Sequence, residues 1–101
     1  MQDPTQIFRA LADPTRRQIL KELKKKDLRA GEITAMFNVS FPSISRHLSI
    51  LKAAGLVQER RDGNSIIYRV NSENLAICLS EFISAVCPTE MIQRSRSRKK
   101  S

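Results

Sequence analysis

The sequence has few of the residues from which catalytic and metal sites are built: its 101 residues include one histidine, two cysteines and no tryptophan. Cys78 and Cys87 form no CxxC pair and belong to no His/Cys cluster, which favours a reducing compartment over a disulfide scaffold. The acids are scattered, and no glycine-rich phosphate loop or nucleophile–base constellation is present. We therefore predict a protein that is not an enzyme and that needs no cofactor.

Long apolar runs are also missing. No stretch approaches the ~18 apolar residues of a membrane-spanning helix, and the first ten residues, MQDPTQIFRA, have no signal-peptide pattern. We expect a cytoplasmic protein without a membrane partner. A chain of this length holds one domain and is too short for two independent cores. Its 41% hydrophobic and 28% charged residues are typical of a folded domain.

Positive charge is what the chain has in excess. Lysine and arginine number 18 against 10 acids, which gives a net charge of +8 and a pI near 10.2. This balance favours nucleic acid or an anionic membrane surface as a partner. Five of the positive charges lie in the tail RSRSRKKS, so the rest of the chain carries only +3. We predict one domain over residues 1–88 and a basic, mobile tail over residues 89–101.

The most informative stretch is residues 38–57, NVSFPSISRHLSILKAAGLV. Ser40 is a predicted N-cap, and Pro42 lies in the first turn of the helix that follows. Gly55 ends that helix in the left-handed conformation, and Leu56 provides the usual apolar contact after such an end. Apolar residues recur at three- and four-residue steps and define one buried face: Ile44, Leu48, Leu51 and Ala54.

The opposite face of this helix has small hydroxyl groups, one arginine and no acid. It consists of Pro42, Ser45, Arg46 and Ser49. Such a face can approach a polyanion closely, because Arg46 is long enough to reach base edges and the serines are short enough to bind phosphate. The alternative is a surface helix that lacks acids by chance.

The helices before this stretch predict a helix-turn-helix. Asp3-Pro4 and Asp13-Pro14 each place an N-cap acid before a proline at the first helical position. The second helix, from Pro14 to Lys25, buries Ile19, Leu20 and Leu23. A third helix over residues 30–37 turns Ile33, Met36 and Phe37 inward, and residues 38–40 join it tightly to the next helix.

After Gly55 the apolar period changes to two. Residues 57–61 predict one strand, and a second carries Ile66, Tyr68 and Val70 on one face. Asp62-Gly63-Asn64 between them is typical of a hairpin turn. A basic hairpin beside a helix-turn-helix is a wing, and Arg60, Arg61 and Asn64 are its candidate contacts to phosphate or the minor groove. The alternative is that these charges only serve solubility.

The last predicted helix spans residues 73–86, with Ser72 as its cap, and carries a long apolar stripe. The stripe consists of Leu75, Cys78, Leu79, Phe82 and Val86, with Ile83 beside it. A domain of this size rarely buries so long a stripe internally. We therefore predict that it pairs with its twin across a two-fold axis, together with the apolar side of the first helix: Ile7, Phe8 and Leu11.

Three segments, ALADPTRRQILKEL, SFPSISRHLSILKAAGLV and RRDGNSIIYRV, resemble the ArsR/SmtB family of winged helix-turn-helix transcriptional repressors. They occur in the family's order and spacing, and the resemblance covers residues 5–86. It implies a mainly α (α+β) fold with four helices, a two-stranded wing and a fifth helix. It also implies a homodimer through the first and last helices and a palindromic double-stranded DNA operator. Many members repress their own gene.

Carried over by position, the resemblance places a set of polar residues against DNA: Ser40, Ser43, Ser45, Arg46 and His47, with Arg60, Arg61 and Asn64 in the wing. His47 lies about 60° from the core direction, so a hydrogen bond at the core edge is favoured over a phosphate contact. Phe41 and Pro42 can meet thymine methyl groups, although packing against the preceding helix is favoured for Phe41.

Metal-sensing members carry thiolates in the first helix of the helix-turn-helix, or acids and histidines in the last helix. Here EITAMFNV has neither Cys nor His, and Glu73 and Glu81 stand alone, so no metal site is predicted. Cys78 and Cys87 would lie ~13 Å apart along one helix. A disulfide needs Cα atoms within ~7 Å, so only pairing across the dimer or unwinding near Pro88 would join them. Cys78 fits a buried hydrophobe, and Cys87 is the better candidate for a reactive thiol.

The sequence thus predicts a dimeric, sequence-specific DNA-binding repressor without a metal inducer. A protein partner, a thiol modifier or a small ligand at the dimer interface would relieve repression, and the sequence does not choose among them. The alternative is a winged-helix module that binds protein or RNA. The acid-free face of residues 42–49 favours DNA, since a protein-binding surface more often exposes apolar or aromatic groups.

Overall fold

The computed structural model describes residues 4–88 and residue 90. The prediction for Asp3 as a cap lies outside this part of the chain, and so does the predicted basic tail of residues 89–101, apart from residue 90. The described elements are helices α1 (Pro4–Leu11), α2 (Pro14–Lys25), α3 (Ala30–Met36), α4 (Phe41–Ala53) and α5 (Ser72–Val86), and strands β1 (Leu28–Arg29), β2 (Val57–Asp62) and β3 (Ser65–Val70). The predicted order of five helices, with a hairpin before the last one, is confirmed.

Strand β1 was not predicted. It pairs antiparallel with β3, Leu28 opposite Tyr68 and Arg29 opposite Ile67, so the sheet has three strands in the order β1-β3-β2. Two residues are too few to show an apolar alternation, and their pairing depends on a strand far along the chain. The consequence is mechanical: β1 attaches the hairpin to the segment that enters α3.

The core lies between α1, α2, α3 and α4, with Cys78 of α5 at its margin, and the sheet closes one side of it. All the apolar residues that the sequence assigned to the buried faces of α2 and α4 are buried: Ile19, Leu20, Leu23, Ile44, Leu48, Leu51 and Ala54. Every buried residue in the described part is hydrophobic. Burial of one such side chain stabilises the fold by roughly 1.5–3 kcal/mol, so this core holds α4 rigidly against the other helices.

The inward orientation predicted for Met36 is wrong. Helix α3 ends at Met36, one residue earlier than predicted, and Met36 is 49% exposed. Phe37 follows in an extended conformation and packs against the core. Ile33, in the middle of this two-turn helix, is fully buried. The short helix therefore has space for one central core contact, and the residue that leaves the helix supplies the next.

Both ends of α4 have the predicted caps. The Ser43 amide donates to the Ser40 hydroxyl oxygen, 3.3 Å away. At the other end Gly55 has φ 77°, its amide donates to the Lys52 carbonyl, and the Leu56 amide donates to the Leu51 carbonyl. This pair of bonds is the Schellman arrangement, which satisfies carbonyl groups that a helix end would otherwise leave unpaired.

Replacement of Gly55 by alanine is expected to destabilise the protein by about 1–2 kcal/mol, because an L side chain in the left-handed region is strained. Gly31 is the matched control. It lies inside α3, and a Cβ added there meets no atom within 4 Å. Gly31→Ala should therefore leave stability unchanged or raise it by up to about 1 kcal/mol. Urea unfolding of both variants measures the difference, and equal effects would contradict this role of Gly55.

Ser72 is not the cap of the last helix. Helix α5 begins at Ser72, and Asn71 is the residue before it, with no capping bond from its side chain. The Asn71 amide instead donates to the Leu56 carbonyl at 2.8 Å. This bond fixes where the chain leaves β3, because it continues the β2–β3 pairing by one step beyond Val57 and Val70.

Candidate nucleic-acid interface

The acid-free face of α4 is exposed along its length. Pro42, Ser45, Arg46 and Ser49 all lie in solvent, while Ile44 on the other side is fully buried. Arg46 forms no ion pair with any residue of the described part. Its guanidinium is therefore available to an external acceptor, and an arginine in this state favours bidentate contact with a guanine or a phosphate.

Two of the predicted DNA contacts also have a role within the protein. The Ser40 hydroxyl accepts from the Ser43 amide and donates to the Ser43 hydroxyl, 3.1 Å away. Both residues are exposed. They lie at the N-terminus of α4, where unpaired amides favour anionic ligands. The capping role and a contact to phosphate are compatible, because a hydroxyl oxygen has two lone pairs.

His47 is turned away from the exposed face. Its side chain is 17% exposed, and its Nδ1 lies 3.2 Å from Arg16 Nη1 and 4.0 Å from Asp13 Oδ2. A guanidinium can only donate, so Nδ1 is the acceptor in this contact when the ring is neutral. This is the position expected for a hydrogen bond at the core edge; contact of His47 with DNA stays a prediction.

Arg16 joins three helices at this point. Its Nε donates to the Ala10 carbonyl at 2.7 Å, and its Nη2 donates to the Arg9 carbonyl at 3.0 Å. Both carbonyls lie near the end of α1, where unpaired carbonyls favour cations. The helical periodicity of the sequence places Arg16 only on the outside of α2. Its bond to His47 spans 31 residues, and no local pattern indicates it.

Asp13 caps α2, since its Oδ2 accepts from the Arg16 amide at 3.1 Å. Desolvation acts to raise the pKa of this carboxyl. The amide of Arg16, the charge of a protonated His47 and the Arg16 guanidinium act in the other direction, and the pKa of Asp13 is lowered from its ordinary value. The charged form of Asp13 therefore stabilises the folded state.

Asp13→Asn is expected to lower stability at neutral pH and to have no effect in strong acid. A lowered folded-state pKa means that the charge contributes fully above the unfolded pKa of about 3.9, and that this contribution is lost as the pH falls through the folded value. Asparagine keeps the cap, so only the charge is removed. The side chain is one-third exposed, which limits the effect to a few tenths of a kcal/mol up to about 1 kcal/mol.

Denaturant unfolding at neutral pH and near pH 2 measures this difference. Asp27→Asn is the control, because Asp27 is exposed and has no ion pair within the described part. A difference between wild type and Asp13→Asn that stays constant with pH would contradict the assignment.

The hairpin has the tight turn that the sequence predicted. Asp62 lies opposite Ser65, so the turn consists of Gly63 and Asn64, and Gly63 has φ 63°. Arg60 and Arg61 are exposed, as is Asn64 at the tip. Side chains alternate along a strand, so the two arginines point to opposite faces of the hairpin. Arg61 lies opposite Ile66, and Arg60 lies opposite Ile67.

Both acids of β2 are neutralised within the protein. Asp62 accepts from Arg29 at 2.9 Å, and Glu59 forms an ion pair with Lys52 at the end of α4. Glu59 also accepts from Tyr68. Desolvation, the Glu59 charge and this hydrogen bond raise the pKa of the Tyr68 hydroxyl. The wing arginines Arg60 and Arg61 have no such acidic partner in the described part, so the hairpin presents net positive charge.

A cleft of about 390 Å³ separates the start of α4 from the hairpin. Its lining comes from α3, α4 and the wing: Arg29, Ala30, Gly31, Phe41, Ser45, Asn64, Ser65, Ile66 and Tyr68. Phe41 is 56% exposed and lines this cleft together with Ala30 and Gly31 of α3, so the expected packing against the preceding helix leaves more than half of it open. The face of the hairpin that carries Ile66, and with it Arg61, therefore borders the same cleft as the start of α4.

A second exposed surface, on α1 and α5, is apolar. Phe82 is 52% and Val86 63% exposed, and Ile83 and Phe8 are also exposed. The rings of Phe8 and Phe82 meet edge to face with centroids 5.3 Å apart, so the two helices form one continuous surface. Large exposed apolar patches are typical of interaction sites. The half-buried residues Leu11, Leu75 and Leu79 lie on the same helices.

Two residues of the predicted dimer interface lie elsewhere. Ile7 and Cys78 are buried in the core of the protomer, which removes them from the accessible part of that surface. Their apolar periodicity reflects contact between α1 and α5 and the body of the domain. Both cysteines are free thiols, Cys78 buried and Cys87 half-buried at the end of α5.

Residues 4–88 and 90 contain neither a cluster of metal ligands nor a membrane-spanning helix. Within this range no three or more His, Cys, Asp and Glu side chains come together as a metal ion would require. None of the helices in the same range has the length and apolar character needed to cross a membrane.

The chain is similar in sequence and in structure to known transcriptional regulators. The family model described as "Bacterial regulatory protein, arsR family" matches residues 13–59. The chain is 50% identical over 66 residues to the transcriptional repressor SdpR of Bacillus subtilis (strain 168), which covers 65% of this chain and 73% of SdpR. It is 38% identical over 71 residues to the HTH-type transcriptional repressor SmtB of Mycobacterium tuberculosis (strain CDC 1551 / Oshkosh), covering 70% of this chain and 53% of that relative.

A solved structure extends the match to nearly the whole chain. The ArsR-like transcriptional regulator from Rhodococcus sp. RHA1 is similar with a TM-score of 0.74 and 31% sequence identity. The match covers 96% of this chain and 90% of that one. The elements that carry the acid-free face and the wing are therefore parts of a known arrangement.

Proposed function

Because the chain belongs to the ArsR family of winged helix-turn-helix DNA-binding transcriptional regulators, which are not enzymes, we propose that it is a homodimeric repressor of a palindromic operator. The single observation that carries this proposal is the exposed, acid-free face of α4, on which the Arg46 guanidinium has no ion-pair partner among the described residues. Relatives that share this region, SdpR and SmtB, are named repressors. The fold class and the DNA-binding role predicted from the sequence are confirmed at the level of the family.

In this proposal α4 lies in the major groove. Arg46 contacts a base edge, and Ser43, Ser45 and Ser49 contact phosphates on either side, with Ser40 at the N-terminus of the helix. His47, through Arg16, sets the angle of α4 relative to α1 and α2. The rigid core behind Ile44 supports this role, since a recognition helix has to hold its side chains in register with the base pairs.

The dimer pairs the α1–α5 surface with its copy, so that the two recognition helices face half-sites about one duplex turn apart. The exposed residues Phe8, Phe82, Ile83 and Val86 support this use of the surface. The operator is then palindromic, because the protein's two-fold axis coincides with that of the DNA. Autorepression is part of the proposal, and the upstream region of the protein's own gene is the first operator to test.

The wing contacts the flanking backbone, and Arg61 is expected to contribute more than Arg60. Arg61 shares its hairpin face with Ile66, which lines the cleft beside α4, while Arg60 is on the opposite face. Arg61→Ala should weaken binding to all sequences about equally and reduce the slope of log affinity against log salt by about 1. Titrations at several salt concentrations measure both variants. Equal slopes for Arg60→Ala and Arg61→Ala would contradict this orientation.

We propose that the inducing signal is not a metal ion. The side chains that could bind one, Glu73 and Glu81 on α5 and the single histidine, are not gathered into one site within the described part. Oxidation of the Cys87 thiol is one candidate signal for relief of repression, supported by the partial exposure of Cys87 at the end of α5. A protein partner or a small ligand at the dimer interface is the alternative. The protein would act in the cytoplasm, associated with the nucleoid.

Fluorescence-anisotropy titration at physiological salt tests the proposal, with the upstream region of the gene and with operators selected from a random DNA pool. We expect the selected sites to be palindromic and to bind at least about a thousandfold tighter than random duplex. Repeating the titration with reductant, oxidant and a panel of metals identifies the signal. Equal affinity for selected and random DNA, together with tighter binding to RNA, would favour the alternative of an RNA-interaction module.

A further inference from the structure

Phe41 is unusual among the exposed residues of α4. It is a large aromatic residue on a helix face that otherwise carries small hydroxyl groups and one arginine, and 56% of it is exposed. Pro42 beside it is also exposed. An aromatic side chain of this size normally finds an apolar partner. Within the described part Phe41 is not among the partly buried residues packed on the core, and just over half of it is open to a partner from outside the protomer.

The position of Phe41 indicates which partner. It is the first residue of α4, and the N-terminal residues of a recognition helix are those that reach base edges. Ser45 lies one turn further on the same side, and both residues line the cleft beside Asn64 and Ser65 of the hairpin. A DNA strand that contacts both α4 and the wing therefore passes over the Phe41 ring.

The major groove offers one apolar group on its base edges, the C5-methyl group of thymine. Resting on the proposed function above, we infer that Phe41, supported by Pro42, is a specificity-determining contact that reads the methyl group of one thymine in each operator half-site. Contact removes the ring and the methyl group from water together. Burial of one methyl-sized group corresponds to about a fourfold change in affinity, so Phe41 selects for thymine without any hydrogen bond.

Replacement of thymine by deoxyuridine tests the inference, because it removes the methyl group and leaves the base pairing intact. Each thymine of a selected half-site is replaced in turn, and affinity is measured at one salt concentration. For the wild-type protein we expect about a fourfold loss per half-site at one position. Phe41→Ala should bind the thymine operator more weakly by about the same factor and should not respond to deoxyuridine. Phe41→Leu, which keeps an apolar side chain, should respond.

Met36→Ala is the matched control, since Met36 is also an exposed apolar residue but does not line the cleft. It should keep the wild-type response to deoxyuridine. Thermal unfolding should show unchanged stability for Phe41→Ala, because the side chain it removes is not part of the core.

The outcomes separate this inference from the proposed function. Specific operator binding by the wild type with no loss at any deoxyuridine position overturns the role of Phe41 and leaves the repressor assignment intact. A loss that persists in Phe41→Ala shows that another residue reads the methyl group, which also overturns it. Wild-type binding no tighter to selected than to random DNA overturns both.

Discussion

Phe82→Glu is expected to convert the proposed dimer to a monomer and to weaken operator binding by about 10²–10⁴-fold. Phe82 lies at the centre of the exposed apolar surface, in contact with Phe8 and on the same side of α5 as Val86. A carboxylate there would lose its hydration without gaining a partner in the interface, which costs several kcal/mol. The monomer retains one recognition helix, so it loses the gain in affinity that comes from binding two half-sites at once.

Sedimentation velocity and anisotropy titration of the same sample measure the two effects together. Ser80→Glu is the matched control: Ser80 is exposed on the same helix, about 160° away from Phe82 around its axis. It adds the same charge outside the proposed interface and should leave both dimer and affinity unchanged. Because about half of Phe82 is exposed, the variant should remain folded. A Phe82→Glu protein that sediments as a dimer would remove α5 from the interface.

Arg46→Ala is expected to have the second-largest effect, a loss of about 1–3 kcal/mol in operator affinity, or about 5- to 150-fold. Arg46 is exposed on the face opposite Ile44 and has no acidic partner within the described part. Its guanidinium is therefore free to make the bidentate contact to guanine that gives arginine its specificity. The loss should concern one base pair of each half-site. The Arg46→Ala protein should therefore bind operators mutated at that base pair as tightly as it binds the original operator.

Two further variants distinguish a contact between Arg46 and a base from a general effect of its positive charge. Arg46→Lys keeps the positive charge but not the planar fork, and it should lose most of the same specificity. Lys21→Ala removes one positive charge from the exposed surface of α2 and should change affinity little. A uniform loss across all operator sequences in Arg46→Ala would instead assign Arg46 to the phosphate backbone.

Local patterns in the sequence were sufficient for α2, α4 and the wing. The faces of α2 and α4, the Ser40 cap, the Gly55 end and the hairpin turn all depend on residues within about five positions of one another, the range over which helix and turn chemistry acts. The exposed face of α4 follows directly from the buried one. For the same reason helical periodicity alone was enough to predict the acid-free surface around Arg46.

Tertiary structure decided the features that join distant segments. Strand β1 exists only because Leu28 and Arg29 meet β3. Helical periodicity placed His47 at the core edge, but only the tertiary structure supplies its partner Arg16, which is bound to the end of α1. The exposure of Phe41 depended on how α4 is set against α3 and the hairpin. Such placements depend on packing between elements that are far apart in the sequence. A local sequence pattern therefore does not indicate which side chain is buried in such a contact and which stays in solvent.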